Sequence, residues 1–100
     1  MKLGILVNTE RHADHLDGIV RAAVTRGHVV IIFVMDEAAR LLEQDTFRQL
    51  CSLPNVSMSY CDLNACQCSI DKGKIPSAVV CGSQYDNAVM FHEADRVIVL

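Results

Sequence analysis

Hydrophobic and polar positions along this chain switch between two periods. Leu3 to Val7 is a short apolar run that predicts a first strand, and it gives way to polar Asn8 through His12. Leu16, Ile19, Val20, Ala23 and Val24 then recur at i, i+3, i+4, i+7 and i+8, the spacing that lines one stripe of a helix. Gly27 follows as the stop, because glycine readily takes the left-handed conformation that ends many helices. His28 to Met35 is almost unbroken apolar sequence rich in β-branched residues. A strand with no polar face is covered on both sides, which predicts a central strand of a parallel sheet.

The second half repeats the alternation. Asp36 is placed to cap a helix carrying Ala39 and Leu42, and Asp45 to restart it with Phe47, Leu50 and Cys51 turned inward. Pro54-Asn55 closes that element. In the next strand Val56, Met58 and Tyr60 share one face and Ser57, Ser59 and Cys61 the other. Asp62 is the expected N-cap of a helix over residues 63–71, with Gly73 beyond its end. Ala78 to Cys81 predicts a fourth strand, Gly82-Ser83 a turn into a helix from Gln84 to Glu93, and Arg96 to Leu100 the last strand. Five strands alternating with four helices predict a single α/β domain over residues 1–100, a three-layer α/β/α sandwich on a mainly parallel sheet.

Composition narrows the function classes. With 51% hydrophobic and 21% charged residues, the chain has the material for a packed core and is not disordered. Its longest apolar run, Val29 to Met35, is far short of the ~18 residues of a membrane span. The N-terminus turns polar by Asn8, too early for a secretory leader, so a cytoplasmic protein with no membrane partner is expected. The nine basic residues are scattered and the net charge is −3, without the basic stripe of a nucleic-acid binder. A mean hydropathy of +0.25 in so small a chain predicts surface buried against copies of itself.

Cysteine is the unusual residue. There are five, an odd number that leaves one thiol over in any disulfide scheme within one chain, and a cytosolic setting would keep them reduced. Ligands of open α/β sheets bind outside the carboxyl ends of the strands. Along that edge the sequence puts Asn8, Thr9 and His12 after strand one, Asp36 after strand two, Cys61 after strand three and Cys81 and Ser83 after strand four. Asn8, Thr9, His12, Asp36 and Ser83 are therefore candidate binding residues. Cys61 is the leading candidate nucleophile, because a helix N-terminus immediately after it favours the thiolate. Cys81 shares the location.

The remaining cysteines read differently. Leu63, Cys66 and Ile70 fall at i, i+3 and i+7, which predicts Cys66 on a core-facing stripe. Cys68 lies about 200° around the helix from Cys66, towards solvent or a subunit contact, and Cys51 packs beside Phe47 and Leu50. Cys61, Cys66 and Cys68, with Cys81 or His92, have the ligand types for zinc or an iron–sulfur cluster. Their spacing fits none of the common knuckles and a helix would splay the thiols, so no metal site is predicted. No Cys-x-x-Cys, dinucleotide or phosphate-loop motif is present. Tyr85, Ala88, Val89 and His92 are expected to form a packing face of the last helix, against the sheet or against another subunit.

The stretch Val56-Ser57-Met58-Ser59-Tyr60-Cys61-Asp62, ending a third strand in a cysteine before a helix, resembles the DsrE/DsrF-like family. Gly73 a turn beyond that helix, Val80-Cys81-Gly82, and the closing Ala94-Asp95-Arg96-Val97-Ile98-Val99-Leu100 are similar to the family's pattern. The resemblance implies trimers or hexamers and, in some members, sulfur relay, in which a strand-end cysteine carries a persulfide between a donor and an acceptor protein without a bound cofactor. Carried over by position, the acceptor is Cys61, with Cys66 second; in a sulfur-carrier reading of the residues Cys81 is the candidate second thiol, resolving or relaying. The chain departs from relay members in Cys66, Cys68 and Cys81, and in Asp71-Lys72 ahead of Gly73 where they have an arginine. The alternative is a non-catalytic oligomeric subunit or binding module whose cysteines pack or ligate metal.

Overall fold

In the computed structural model, which describes residues 1–100, the apolar run becomes the central strand. The strands are β1 Lys2–Val7, β2 Val29–Val34, β3 Val56–Cys61, β4 Val79–Gly82 and β5 Arg96–Val99. All pair parallel in the order β4-β3-β2-β1-β5, so β2 has two strands on each side and both its faces are covered. The helices are α1 Ala13–Thr25, α2 Asp45–Arg48, α3 Asp62–Gln67 and α4 Gln84–Glu93, with 3₁₀ segments at Asp36–Glu43, Gln49–Ser52 and Lys72–Lys74. This is the expected α/β architecture, with the sheet wholly parallel.

The two faces of the sheet are unequal. Ile5, Val7, Val30, Ile32, Val34, Met58, Tyr60 and Val79 point to the larger core, where they meet Leu16 and Val20 of α1, Leu41 and Leu42, Phe47, Leu50, and Ala65 of α3. Each such large side chain, once fully buried, stabilises by about 1.5–3 kcal/mol. The opposite face holds a small cluster of Phe33, Cys61 and Met90, flanked by Leu6, Ile31, Met35 and Val97. Only α4 covers it. Gly4 lets α4 approach β1, since a Cβ there would stand 3.0 Å from Ala94 Cβ and 3.2 Å from Met90 Cγ.

Several elements differ from expectation for definable reasons. Residues 36–43 wind as 3₁₀ helix that buries Ala38, Ala39, Leu41 and Leu42. Asp36 does not cap it: with φ 52° its backbone is left-handed, and its N–H donates to Asn64 Oδ1 at 2.9 Å. Helix α3 has six residues where nine were expected. Ser69 adopts φ 56°, its N–H donates to the Cys66 carbonyl, and the Ile70 N–H donates to the Ala65 carbonyl, the bond pattern of a Schellman stop. Gly27 ends α1 with the same pair of bonds, to Val24 and Ala23. On α4 the buried residue is Met90, while Tyr85, Ala88 and His92 of the expected packing face are exposed. The capping box of Ser83 and Asp86 fixes the helix start and so sets which side turns inward.

Candidate functional site

The carboxyl edge divides its residues among three places. Asn8, Thr9 and His12 come together, lining an open cavity of about 490 Å³ with His15, Val99 and Leu100. It lies between the ends of β1 and β5, where the strand order reverses. Asp36 is tied up with Asn64, and Ser83 with the start of α4, its hydroxyl accepting from the Tyr85 N–H at 3.2 Å. Neither joins the cavity.

The five cysteines are all free, and the strand register sorts them. Tyr60 pairs with Cys81, and Cys61 with Gly82. Neighbours across a parallel pair point the same way and successive residues point opposite ways. Cys81 therefore shares the face of Tyr60, on the side of α3, while Cys61 points to the other face against Phe33 and Met90. Cys61 stands where expected, at a strand end and a helix start, but it is only 5% exposed.

Cys66 and Cys81 are exposed. For Cys66 this reverses the expected core position: Ala65 and Ile70 are buried and Leu63 is 64% exposed, so the inward stripe of α3 is one residue away from the one predicted. Cys51 is half-buried against the larger core, as its place beside Phe47 and Leu50 implies. Cys68 is also half-buried there, with its thiol 3.8 Å from the Asp36 carbonyl oxygen. No three His, Cys, Asp or Glu side chains are placed to hold a metal ion.

The two exposed thiols share a polar setting. The Asp62 carboxylate pairs with the Lys72 ammonium, and Asp62 Oδ1 also lies 4.0 Å from Cys66 Sγ. Asp62 is the first residue of α3 and its side chain serves this pair, where an N-cap had been expected. The Lys72 ammonium, and then the Cys81 thiol, hold the Asp62 carboxyl below its ordinary range. Asp62 first, then Cys66, push Lys72 above the ordinary lysine value. Burial, and then the neighbouring Cys81 thiol, push the Tyr60 phenol up to about 12. Asp62 thus joins Cys66 and Lys72 by direct contact, and the charges and thiols of Asp62, Lys72 and Cys81 act on Tyr60 at the end of β3.

Lys72 and Tyr60 were not among the residues expected here. Tyr60 reads as core from its alternation, which it is. Lys72 stands ten positions from Asp62, and only the left-handed turn at Ser69 brings it back. Its signal in the sequence was the Asp71-Lys72-Gly73 departure from the relay pattern.

No protein-family model matches the chain, and no curated protein is similar to it in sequence. Solved structures do match. The ychN protein from E. coli superposes with a TM-score of 0.74 at 16% identity, over 100% of both chains. The protein of unknown function MTH1491 from Methanobacterium thermoautotrophicum gives 0.76 at 14% identity, over 99% of this chain and 98% of that one. The chain shares their fold. At such identities the likeness concerns backbone architecture and carries no activity with it. No helix is long and apolar enough to cross a membrane.

Proposed function

We propose that this is a DsrE/DsrF-like protein that carries sulfur as a persulfide on an edge cysteine, with Cys66 as the acceptor and Cys81 as the second thiol. The observation that carries the reading is the exposed Cys66 thiol 4.0 Å from the carboxylate of the Asp62–Lys72 pair, with the exposed Cys81 thiol acting on the same carboxylate. A carrier thiol must meet a second protein, and Cys61, at 5% exposure, serves better as packing beneath α4. In the step itself the Cys66 thiolate attacks the outer sulfur of a donor persulfide. A new S–S bond forms on Cys66, the donor's own S–S bond breaks, and the donor leaves as a thiolate that takes up the proton Cys66 gave up on becoming the nucleophile. The exchange needs no external oxidant and no bound cofactor. Partners are then a sulfur donor and an acceptor protein.

Self-association belongs to the same reading. Val80 and Val99 are 52% and 56% exposed on the face that α4 alone covers, and Phe91 of α4 is 48% exposed. Copies meeting through that face, as trimers or hexamers, would bury this apolar surface. The other reading, an oligomeric subunit without thiol chemistry, draws on the same surface.

Peptide-resolved mass spectrometry after incubation with a small-molecule persulfide tests the proposal. The expected result is a one-sulfur increment on the Cys66 peptide that is lost in Cys66→Ser. Loading on no cysteine would sink the carrier reading and leave the oligomeric subunit.

A further inference from the structure

We infer that Lys72 is a positioning residue that selects anionic sulfur at the Cys66 thiol, and that Asp62 holds its ammonium in reserve until that charge arrives. This deepens the carrier reading and rests on it for the identity of the cargo.

One carboxylate oxygen, Asp62 Oδ1, is common to both neighbours: it takes the Lys72 ammonium and lies 4.0 Å from Cys66 Sγ. With a neutral thiol at Cys66, the acid and the ammonium cancel. Once Cys66 becomes a thiolate or a persulfide anion, it stands against the Asp62 carboxylate, and like charges so close disfavour each other. The Lys72 and Asp62 side chains are 41% and 45% exposed, so the ammonium can swing from oxygen to sulfur on its flexible stem without opening the core. In the resting arrangement Cys66 already helps to hold Lys72 protonated.

Selection follows from the same charges. A persulfide anion arriving from a donor meets an ammonium that can leave its carboxylate. A neutral electrophile of the same size gains nothing from Lys72. The class favoured at this thiol is therefore anionic sulfur.

Site-resolved alkylation of Cys66 by iodoacetate and by iodoacetamide, compared at low salt, reads this selection as a rate ratio. In Asp62→Asn the freed ammonium should raise the iodoacetate-to-iodoacetamide ratio about fivefold, roughly what one charge about 4 Å away provides in water. In Lys72→Met the ratio should fall below wild type, and high salt should pull all three together. A ratio identical in wild type, Lys72→Met and Asp62→Asn would overturn the role of Lys72. Loading with a small-molecule persulfide, scored on the same three proteins, keeps the two readings apart. Ratios that shift while no protein takes up sulfur would remove the carrier reading and leave Lys72 as an anion selector. Uptake by all three at equal rates with unshifted ratios would remove Lys72 and leave the carrier.

Discussion

Cys61 and Cys81 stand at the ends of adjacent strands yet on opposite faces of the sheet, because Cys81 is in register with Tyr60 and Cys61 with Gly82. That offset of one residue separates a packing cysteine from a surface thiol. Cys61 lies with Phe33 and Met90; Cys81 lies beside Asp62 and Tyr60.

Cys61→Ser should therefore act on stability. A hydroxyl in place of the thiol has no polar partner in that apolar cluster, and burying one unpaired costs about 1–3 kcal/mol. For a chain of this size each kcal/mol lowers the melting temperature by about 4–8 °C. Alkylation rates at Cys66 and Cys81 should stay at their wild-type values. Thermal melts paired with peptide-resolved labelling check both halves, and a Cys61→Ser protein of unchanged stability would contradict the packing role.

Much of the architecture was readable from pattern alone, and the reason is specific. The continuous run Val29 to Met35 has no polar face, which only a doubly covered strand accommodates, and the Leu16-to-Val24 stripe fits only a helix. The site was less readable because its chemistry depends on which way single residues turn. Cys66 follows Leu63 and precedes Ile70 at core spacing, but Ser69 in the left-handed region cuts the helix short, and Ala65 takes the inward position. Serine carries no signal for that conformation, whereas Gly27 advertised the same stop in α1. The Asp62–Lys72 pair is a contact across that hidden turn, invisible to periodicity.

The Ser69 stop predicts a stabilising substitution. A non-glycine residue in the left-handed region costs roughly 1–2 kcal/mol, while glycine enters it freely at the expense of a more flexible unfolded chain. Ser69→Gly should net about 0.5–1 kcal/mol of added stability with the alkylation pattern of Cys66 retained. Denaturant midpoints with an unchanged slope would show this. A destabilised Ser69→Gly would mean that the serine makes a contribution the backbone does not account for.

Gly82 carries the opposite expectation. A Cβ there would overlap Asp86 Oδ2, the atom that accepts from the Ser83 N–H at 2.8 Å. Gly82→Ala must push the carboxylate away and open the capping box of α4, a loss of about 1 kcal/mol. In a double-mutant cycle with Asp86→Ala the two losses should not add, because both remove the same cap. Additive losses would place the strain of Gly82→Ala elsewhere.

The pH dependence follows from the group at the ends of β3 and β4. Tyr60 is pushed from 10.0 up to about 12 by burial and by the neighbouring Cys81 thiol. A phenol whose folded value is raised keeps its proton longer in the folded state. Its contribution to stability is therefore complete below pH 10.0 and is lost as pH climbs towards about 12. Lys72 adds in the same sense, its contribution complete below the ordinary 10.5 and lost above it. Asp62, held below 3.8, contributes above that value and loses its contribution as pH falls below it. For this group, stability should be level between those limits and decline on either side. The Tyr85→Phe variant leaves Tyr60 as the only phenol, so its tyrosinate absorbance reports this titration alone. In that background Cys81→Ala should bring the Tyr60 midpoint down from about 12, since the thiol raises it, and Lys72→Met should move it further up, since the ammonium lowers it. Shifts of the reverse sign would show that Cys81 and Lys72 do not face Tyr60, and the group proposed as the sulfur site would come apart with them.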